Sequence, residues 1–342
     1  MKNRLRNFDF RSFWNTYQVW IIFIVLIAIY SIISPDFFTA RNISNIMTQN
    51  AMLVVVAMGQ LLTVITGGID LSVGAILALT GVMTAKFVVG GMSAYVAIFA
   101  AIGLGALAGA VSGLLVSKFK FAPFIATLAT MVMVKGVTFV QSGGHVTYVS
   151  DPTFKFLGRG NILGIPVMIW VMVLVIFLVW FVLHKTVVGR RLYAVGGNPE
   201  AARLAGINVP RYLFAVYVCS GALAGLAGAF MAFRLGAGSP TIGTEWELDT
   251  IAAVVVGGAS LMGGIGTPLN SMLGALIIGF IRNILNLLGV ATYPQLIVKG
   301  LIIILAVLSQ NLGSGLIVTK KKTGGGAKPK TGSVKSKTVQ GS

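Results

Sequence analysis

From Val167 to Leu183 the chain reads VMIWVMVLVIFLVWFVL, an unbroken apolar run without a single charge. About 17–25 predominantly apolar residues cross the hydrocarbon of a bilayer as a helix. A helix is favoured there because it satisfies its backbone hydrogen bonds internally. Comparable blocks recur at Val19–Ile33, Ile43–Thr66, Tyr95–Val116, Pro123–Gln141, Tyr212–Phe233, Ser271–Leu288 and Leu296–Leu312. Only 10% of the residues are charged and 56% are hydrophobic, whereas a soluble domain carries about 25% charged residues. The sustained alternation of a transmembrane barrel is absent. The expected fold is an all-α integral membrane protein, a polytopic bundle of about ten transmembrane helices with Gly-broken segments.

The formal net charge is +18, but its placement does not suit nucleic acid. Lys2, Arg4, Arg6 and Arg11 crowd the N-terminus, and seven lysines lie between Lys320 and Lys337. Residues 184–211 carry Lys185, Arg190, Arg191, Arg203 and Arg211 against one acid, Glu200. Under the positive-inside rule these are cytoplasmic ends and a cytoplasmic loop, and an even number of crossings places both termini inside. The chain divides into a basic N-terminus at 1–18, a transmembrane domain at 19–312 and a basic disordered tail at 313–342. Anionic lipid headgroups would attract that tail. The N-terminus lacks a small-x-small cleavage site after its apolar run, so the first span is expected to be retained.

Several chemistries are excluded. Cys219 is alone and His145 and His184 are far apart, so neither a disulfide framework nor a metal centre is expected. No G-x-x-x-x-G-K-[ST] loop, H-E-x-x-H or G-x-S-x-G motif occurs. No catalytic residues and no cofactor are expected.

Against this background "TVITGGIDLSVGAILALTG" (63–81) stands out, because it places one of only eight acidic residues inside an apolar region. One reading is structural: the glycines end one helix, and Asp70 or Ser72 caps the next by accepting from its free N–H groups. The other is functional: a charge in hydrocarbon must face protein, water or a backbone partner, and Asp70 would hydrogen-bond a polar solute. The two are compatible. A weak echo links "VITGGIDLSVG" (64–74) to "VVVGGASLMGG" (254–264), and paired interruptions of this kind point to a substrate pathway. Gln60, Thr66, Gly67, Gly68, Asp70, Ser72, Gly257, Gly258 and Asn270 are the candidates for lining it. Glu245, Glu247 and Asp249 fall in a segment that reads as an outer loop. Lys135, Arg282 and Lys299 lie in apolar runs and read as snorkelling side chains.

In the basic loop, "GGNPEAARLAGI" reads as a short helix. Asn198 suits the N-cap, Pro199 the first helical position and Gly206 the C′ position. Glu200 lies near the positive helix end. Such a helix can dock into a partner's groove.

Three long motifs, "GGIDLSVGA", "VGRRLYAVGGNPEAARLAGINV" and "ELDTIAAVVVGGASLMGGIG", appear in order between about Ser34 and Leu308. With them the chain resembles the sugar-import permeases of bacterial ABC transporters, a group serving ribose, xylose, arabinose, galactose and autoinducer-2. "LNLLGV" and "QLIVKGLIIILAV" bring it nearest the ribose-type members. The resemblance implies a permease subunit for a ribose-like monosaccharide in the bacterial plasma membrane, homodimeric with a second copy. Two ATPase subunits would dock inside and an extracytoplasmic sugar-binding protein would deliver the sugar. It also makes residues 184–211 the coupling loop. "EAARLAG" matches the EAA-x-x-x-G signature at Glu200, Ala201, Ala202 and Gly206, although the downstream I-x-L-P ending is not evident. Gly189, Arg190, Asn198, Pro199 and Arg203 belong to the same coupling block. Rival readings are a permease for another small solute, such as a branched-chain amino acid or autoinducer-2, and an ion-coupled secondary transporter. The lack of paired carboxylates deep in the spans stands against the latter.

Overall fold

The computed structural model describes residues 10–33, 37–291, 293–302, 304, 305 and 308. The basic tail at 313–342 and residues 1–9 lie outside the described residues. Twelve helices are bounded: α1 (Phe10–Ile33), α2 (Ala40–Ile65), α3 (Val73–Val89), α4 (Ala94–Ser117), α5 (Pro123–Ser142), α6 (Pro152–Arg159), α7 (Val167–Lys185), α8 (Val187–Gly197), α9 (Pro199–Leu204), α10 (Val209–Leu235), α11 (Trp246–Val256) and α12 (Pro268–Leu287). Residues 293–302 are also helical. Two small antiparallel pairs complete the described structure. β1 (Thr147–Tyr148) pairs with β4 (Ala237–Gly238), and β2 (Asn161–Ile162) pairs with β3 (Ile165–Pro166).

Among the described residues, six helices have the length and composition to cross a membrane: α2, α4, α5, α7, α10 and α12. Two shorter apolar stretches, Tyr17–Ile32 within α1 and Val73–Val89, join them. Helix α2 is the centre of the bundle, with every residue from Asn50 to Ile65 buried. By contrast, α4, α5 and α7 turn large apolar side chains outward, among them Phe99, Leu107, Val132, Leu174 and Phe177. An outward apolar belt is stable in hydrocarbon rather than in water.

Small residues set the closest helix contact. Gly105, Gly109 and Gly113 of α4 lie against Gly221 and the neighbouring backbone of α10. A Cβ on Gly221 would come within 2.9 Å of the Gly109 Cα, so only glycine permits this approach. The aromatic group Tyr30, Phe37 and Phe280 fastens α1 to α12, and the Tyr30 hydroxyl donates to the Phe280 carbonyl at 2.9 Å.

The segment expected as an acidic outer loop is folded into the bundle instead. Residues 237–243 run along α3: Gly238 packs on Gly81 and Val82, and Gly243 packs on Gly74 and Leu77. The glycines permit this course, because a side chain at either position would strike α3 backbone.

Candidate functional site: a capped surface helix on two broken helices

The chain between α7 and α10 forms two helices where sequence reasoning found one. Thr186 caps α8, accepting from the Gly189 N–H at 3.3 Å, and Gly189 is buried against the Leu183 carbonyl. Asn198 caps α9 by accepting from Ala201 at 3.0 Å, with Pro199 at the first turn. Helix α9 ends as expected. Gly206 has φ +80, its N–H reaches the Arg203 carbonyl and the Ile207 N–H reaches Ala202, each at 3.0 Å. That is the doubly bonded left-handed glycine stop. Ala202 is buried, whereas Glu200, Ala201, Arg203 and Leu204 are exposed. Glu200 pairs with Arg203 at 2.5 Å, which holds the Glu200 carboxyl below its ordinary range. Arg190 is exposed on α8. An exposed, conformationally fixed turn of helix is thus presented beside the bundle.

Beneath it, α8 touches both Gly-broken segments. The Tyr193 hydroxyl donates to the Gly266 carbonyl at 2.6 Å. Gly196 is pressed against the Ile65 carbonyl and the Gly264 nitrogen, leaving no space for a Cβ. The Gly264 N–H in turn donates to the Ile65 carbonyl at 2.8 Å. One backbone junction therefore joins α8, the end of α2 and the chain after α11.

The two breaks are also the same structure. At the end of α2, Gly67 has φ +78, its N–H bonds Val64 and the Gly68 N–H bonds Thr63. At the end of α11, Gly258 has φ +83, its N–H bonds Val255 and the Ala259 N–H bonds Val254. Both are left-handed glycine stops. The sequence echo pointed to this likeness but aligned Gly67 with Gly257. The left-handed glycine is the first of the pair in one break and the second in the other.

Asp70 lies between α2 and α3, fully buried. Its carboxylate accepts from the Ser72 N–H at 2.9 Å, the Ser72 hydroxyl at 2.6 Å and the Ser220 hydroxyl at 2.7 Å. The Gln60 amide, in the orientation that satisfies it, donates to the Asp70 carbonyl at 2.9 Å and accepts from the Asp70 N–H at 3.2 Å. Ser72 occupies the N-cap of α3 without a side-chain capping bond. The Thr66 hydroxyl donates to the Thr63 carbonyl at 2.9 Å. Gln60, Thr66, Gly68, Asp70 and Ser72 are all buried, and Gly67 is exposed. On the other break, Gly257 packs on the Asn270 carbonyl and Gly258 has open space around it. The structure thus brings the passage candidates together as two linked turns whose polar groups are largely bonded to one another.

Sequence reasoning missed a second polar group. Arg282, on α12, donates to Asp249 at 2.5 Å, and Lys299 lies 2.8 Å from Asp249 and 3.1 Å from Glu245. Arg282 and Lys299 are thus ion-paired within the protein rather than snorkelling. The available signal was two bases in apolar runs and two acids in a segment taken for a loop.

Comparison with known proteins places this architecture. The family model described as "Branched-chain amino acid transport system / permease component" matches residues 42–307. The ribose import permease protein of Haemophilus influenzae (strain Rd) is 45% identical over 315 residues, covering 91% of this chain and 98% of that protein. The ribose import permease protein of Bacillus subtilis (strain 168) is 47% identical over 286 residues, 83% and 89% of the two chains. The L-arabinose ABC transporter permease protein of Azospirillum brasilense is 37% identical over 287 residues, 84% and 85%. No solved structure gives a significant match. A multi-pass apolar bundle, a family model spanning most of it and relatives aligned nearly end to end agree: this chain belongs to the permease-component family of membrane transport systems.

Proposed function

We propose that this chain is the permease subunit of an ABC importer for a ribose-like monosaccharide, with ATP hydrolysis on a separate subunit. The observation that carries the reading is the junction of α8 with both breaks, because it gives an exposed docking helix a continuous backbone route into the bundle. The names of the relatives favour a sugar. The family description also admits branched-chain amino acids.

In this reading the partner ATPase docks on the coupling block, with Asn198, Pro199, Ala201, Ala202 and Gly206 fixing the helix. Gly189 seats α8, while Arg190, Glu200 and Arg203 face the partner. Movement passes through Tyr193 and Gly196 to the turns held by Gln60, Thr66, Gly67, Gly68, Asp70 and Ser72 on one side and Gly257, Gly258 and Asn270 on the other. Those turns set the shape of the passage and the side to which it opens. Bound sugar shifts that balance only by its differential affinity for the two states. Ten or so crossings are reached by adding the apolar parts of α1 and α3, the short α11 and the segment from residue 293 to the six longer helices. Both termini are then cytoplasmic, the orientation that the basic loop at 184–211 and the basic ends favour. The assembly contains a second copy of this chain in the bacterial plasma membrane, and an extracytoplasmic sugar-binding protein supplies the solute.

The test replaces Glu200 and Gly206 together with alanine in the reconstituted complex. Uptake should fall by about tenfold or more, the cost of misplacing a coupling contact, while the chain remains inserted and ATP hydrolysis continues. Uptake at the wild-type rate would remove the docking role.

A further inference from the structure

A cavity of about 350 Å³ lies between α11, α12 and residues 293–302, lined among others by Trp246, Asp249, Ala252, Arg282, Asn286 and Lys299. It is partly open: the Arg282 and Glu245 side chains are 41% and 40% exposed, and Asn286 is exposed. Ser220, near the middle of α10, bonds Asp70 at the start of α3. A Cβ on Gly74, one turn further along α3, would meet the Gly243 carbonyl and the Glu247 carboxylate at 2.5 Å. Helix α11 therefore begins level with the middle of α10. The Asp249 side chain is only 2% exposed, and Arg282 belongs to a helix long and apolar enough to span a membrane. Charges at that depth are costly, face the bundle interior or a water-filled cavity, and mark solute or ion pathways.

The charges are balanced: Glu245 and Asp249 face Arg282 and Lys299, all four bordering the same space. A solute with a net charge would upset that balance, and a zwitterion would have to part these pairs to match its own charges, whereas an uncharged one leaves them intact. The hydrogen-bonding capacity is far from used up. Among the described residues Arg282 engages one of its five N–H donors. Asn286 accepts from Gln295 at 2.8 Å and keeps its own amide donors. Trp246 adds a flat apolar face. Carboxylates, a guanidinium, an amide and an aromatic ring together match a ring of C–H groups edged by hydroxyls, each hydroxyl both donor and acceptor. The volume falls in the range of small-ligand pockets, about 300–1,000 Å³.

We propose that this cavity holds a neutral polyhydroxylated solute, a monosaccharide, during passage. The inference rests on the sugar-permease reading and adds where the sugar is held: in the α11–α12 cavity rather than at Asp70.

The test uses the complete complex with Cys219→Ser as background and Leu285→Cys, on the cavity wall but not among its polar groups, as reporter. D-ribose should slow modification of that thiol by a small water-soluble methanethiosulfonate about fivefold near saturation, as mass action gives for a mostly occupied site. L-leucine should leave the rate unchanged. Separately, Ala252→Met, a larger side chain on the cavity wall, should lower ribose uptake about tenfold or more, with the amount of complex in the membrane unchanged. Unaltered labelling together with full uptake by Ala252→Met overturns the cavity assignment and leaves the permease reading standing. Protection by leucine and not by ribose overturns the solute class. A wild-type complex that imports no sugar at all removes the permease reading and this inference with it.

Discussion

Asp70 and Asp249 are both buried acids in an apolar bundle, and they are held very differently. Asp70 receives three donors from Ser72 and Ser220 and is gripped through its backbone by Gln60. Asp249 is held by two bases beside a cavity. Removing the Asp70 carboxylate leaves buried donors unpaired, at about 1–3 kcal/mol for each group. Asp70→Ala should therefore lower the thermal unfolding midpoint of the purified protein clearly, and Ser220→Ala by less. Wild-type stability in Asp70→Ala with transport abolished would instead put a solute against this carboxylate. The sequence made the importance of Asp70 visible, because a lone acid between glycines is conspicuous. It could not show Asp249 as a site, since its partners Arg282 and Lys299 are 33 and 50 residues away and only folding brings them together. On the surface, Arg203 holds the Glu200 carboxyl below its usual range. A depressed folded value means that the pair's contribution is present above the ordinary Glu range and is lost only as pH falls through the lower value. Between about pH 6 and 8, well above the ordinary Glu range, uptake should follow the same pH profile in wild type and Glu200→Gln. A titration confined to the wild type in that interval would contradict the assignment.

At the scale of elements, α9 was fully legible: its N-cap, first-turn proline and terminal glycine all stand where the residues suggested. Helix α8 was not, because "TVVGRRLYAVGG" has basic residues and three glycines that read as loop. What makes it a helix is tertiary: the Thr186 cap and the seating of Tyr193 and Gly196 on the two breaks. Gly196→Val should separate α8 from the Ile65 and Gly264 backbone. Tyr193→Phe removes one bond and spares the packing. The expected result is an ATPase-to-transport ratio that rises modestly in Tyr193→Phe and steeply in Gly196→Val, measured in proteoliposomes. An unchanged ratio in both would mean that the junction transmits nothing.

The whole molecule was read correctly as an apolar helical bundle, because paucity of charge and long uncharged runs are properties of the chain itself. The number of crossings was harder to read. Helices α3 and α11 are short and Gly-bounded, and residues 237–243 run along α3 as a two-residue strand followed by turns. A hydropathy reading cannot distinguish such a leg from an outer loop. Close packing without large side chains holds the assembly together, so Gly109→Leu should prevent α4 from meeting α10 and deplete the folded protein in membranes, readable as protease sensitivity. The central claim is that this bundle has no power source of its own. The most direct measurement reconstitutes the purified subunit alone, with an ion gradient, and then with its ATPase and sugar-binding protein plus ATP, following labelled D-ribose. The account predicts no uphill accumulation in the first case and ATP-dependent accumulation in the second; uphill uptake by the lone subunit would contradict it.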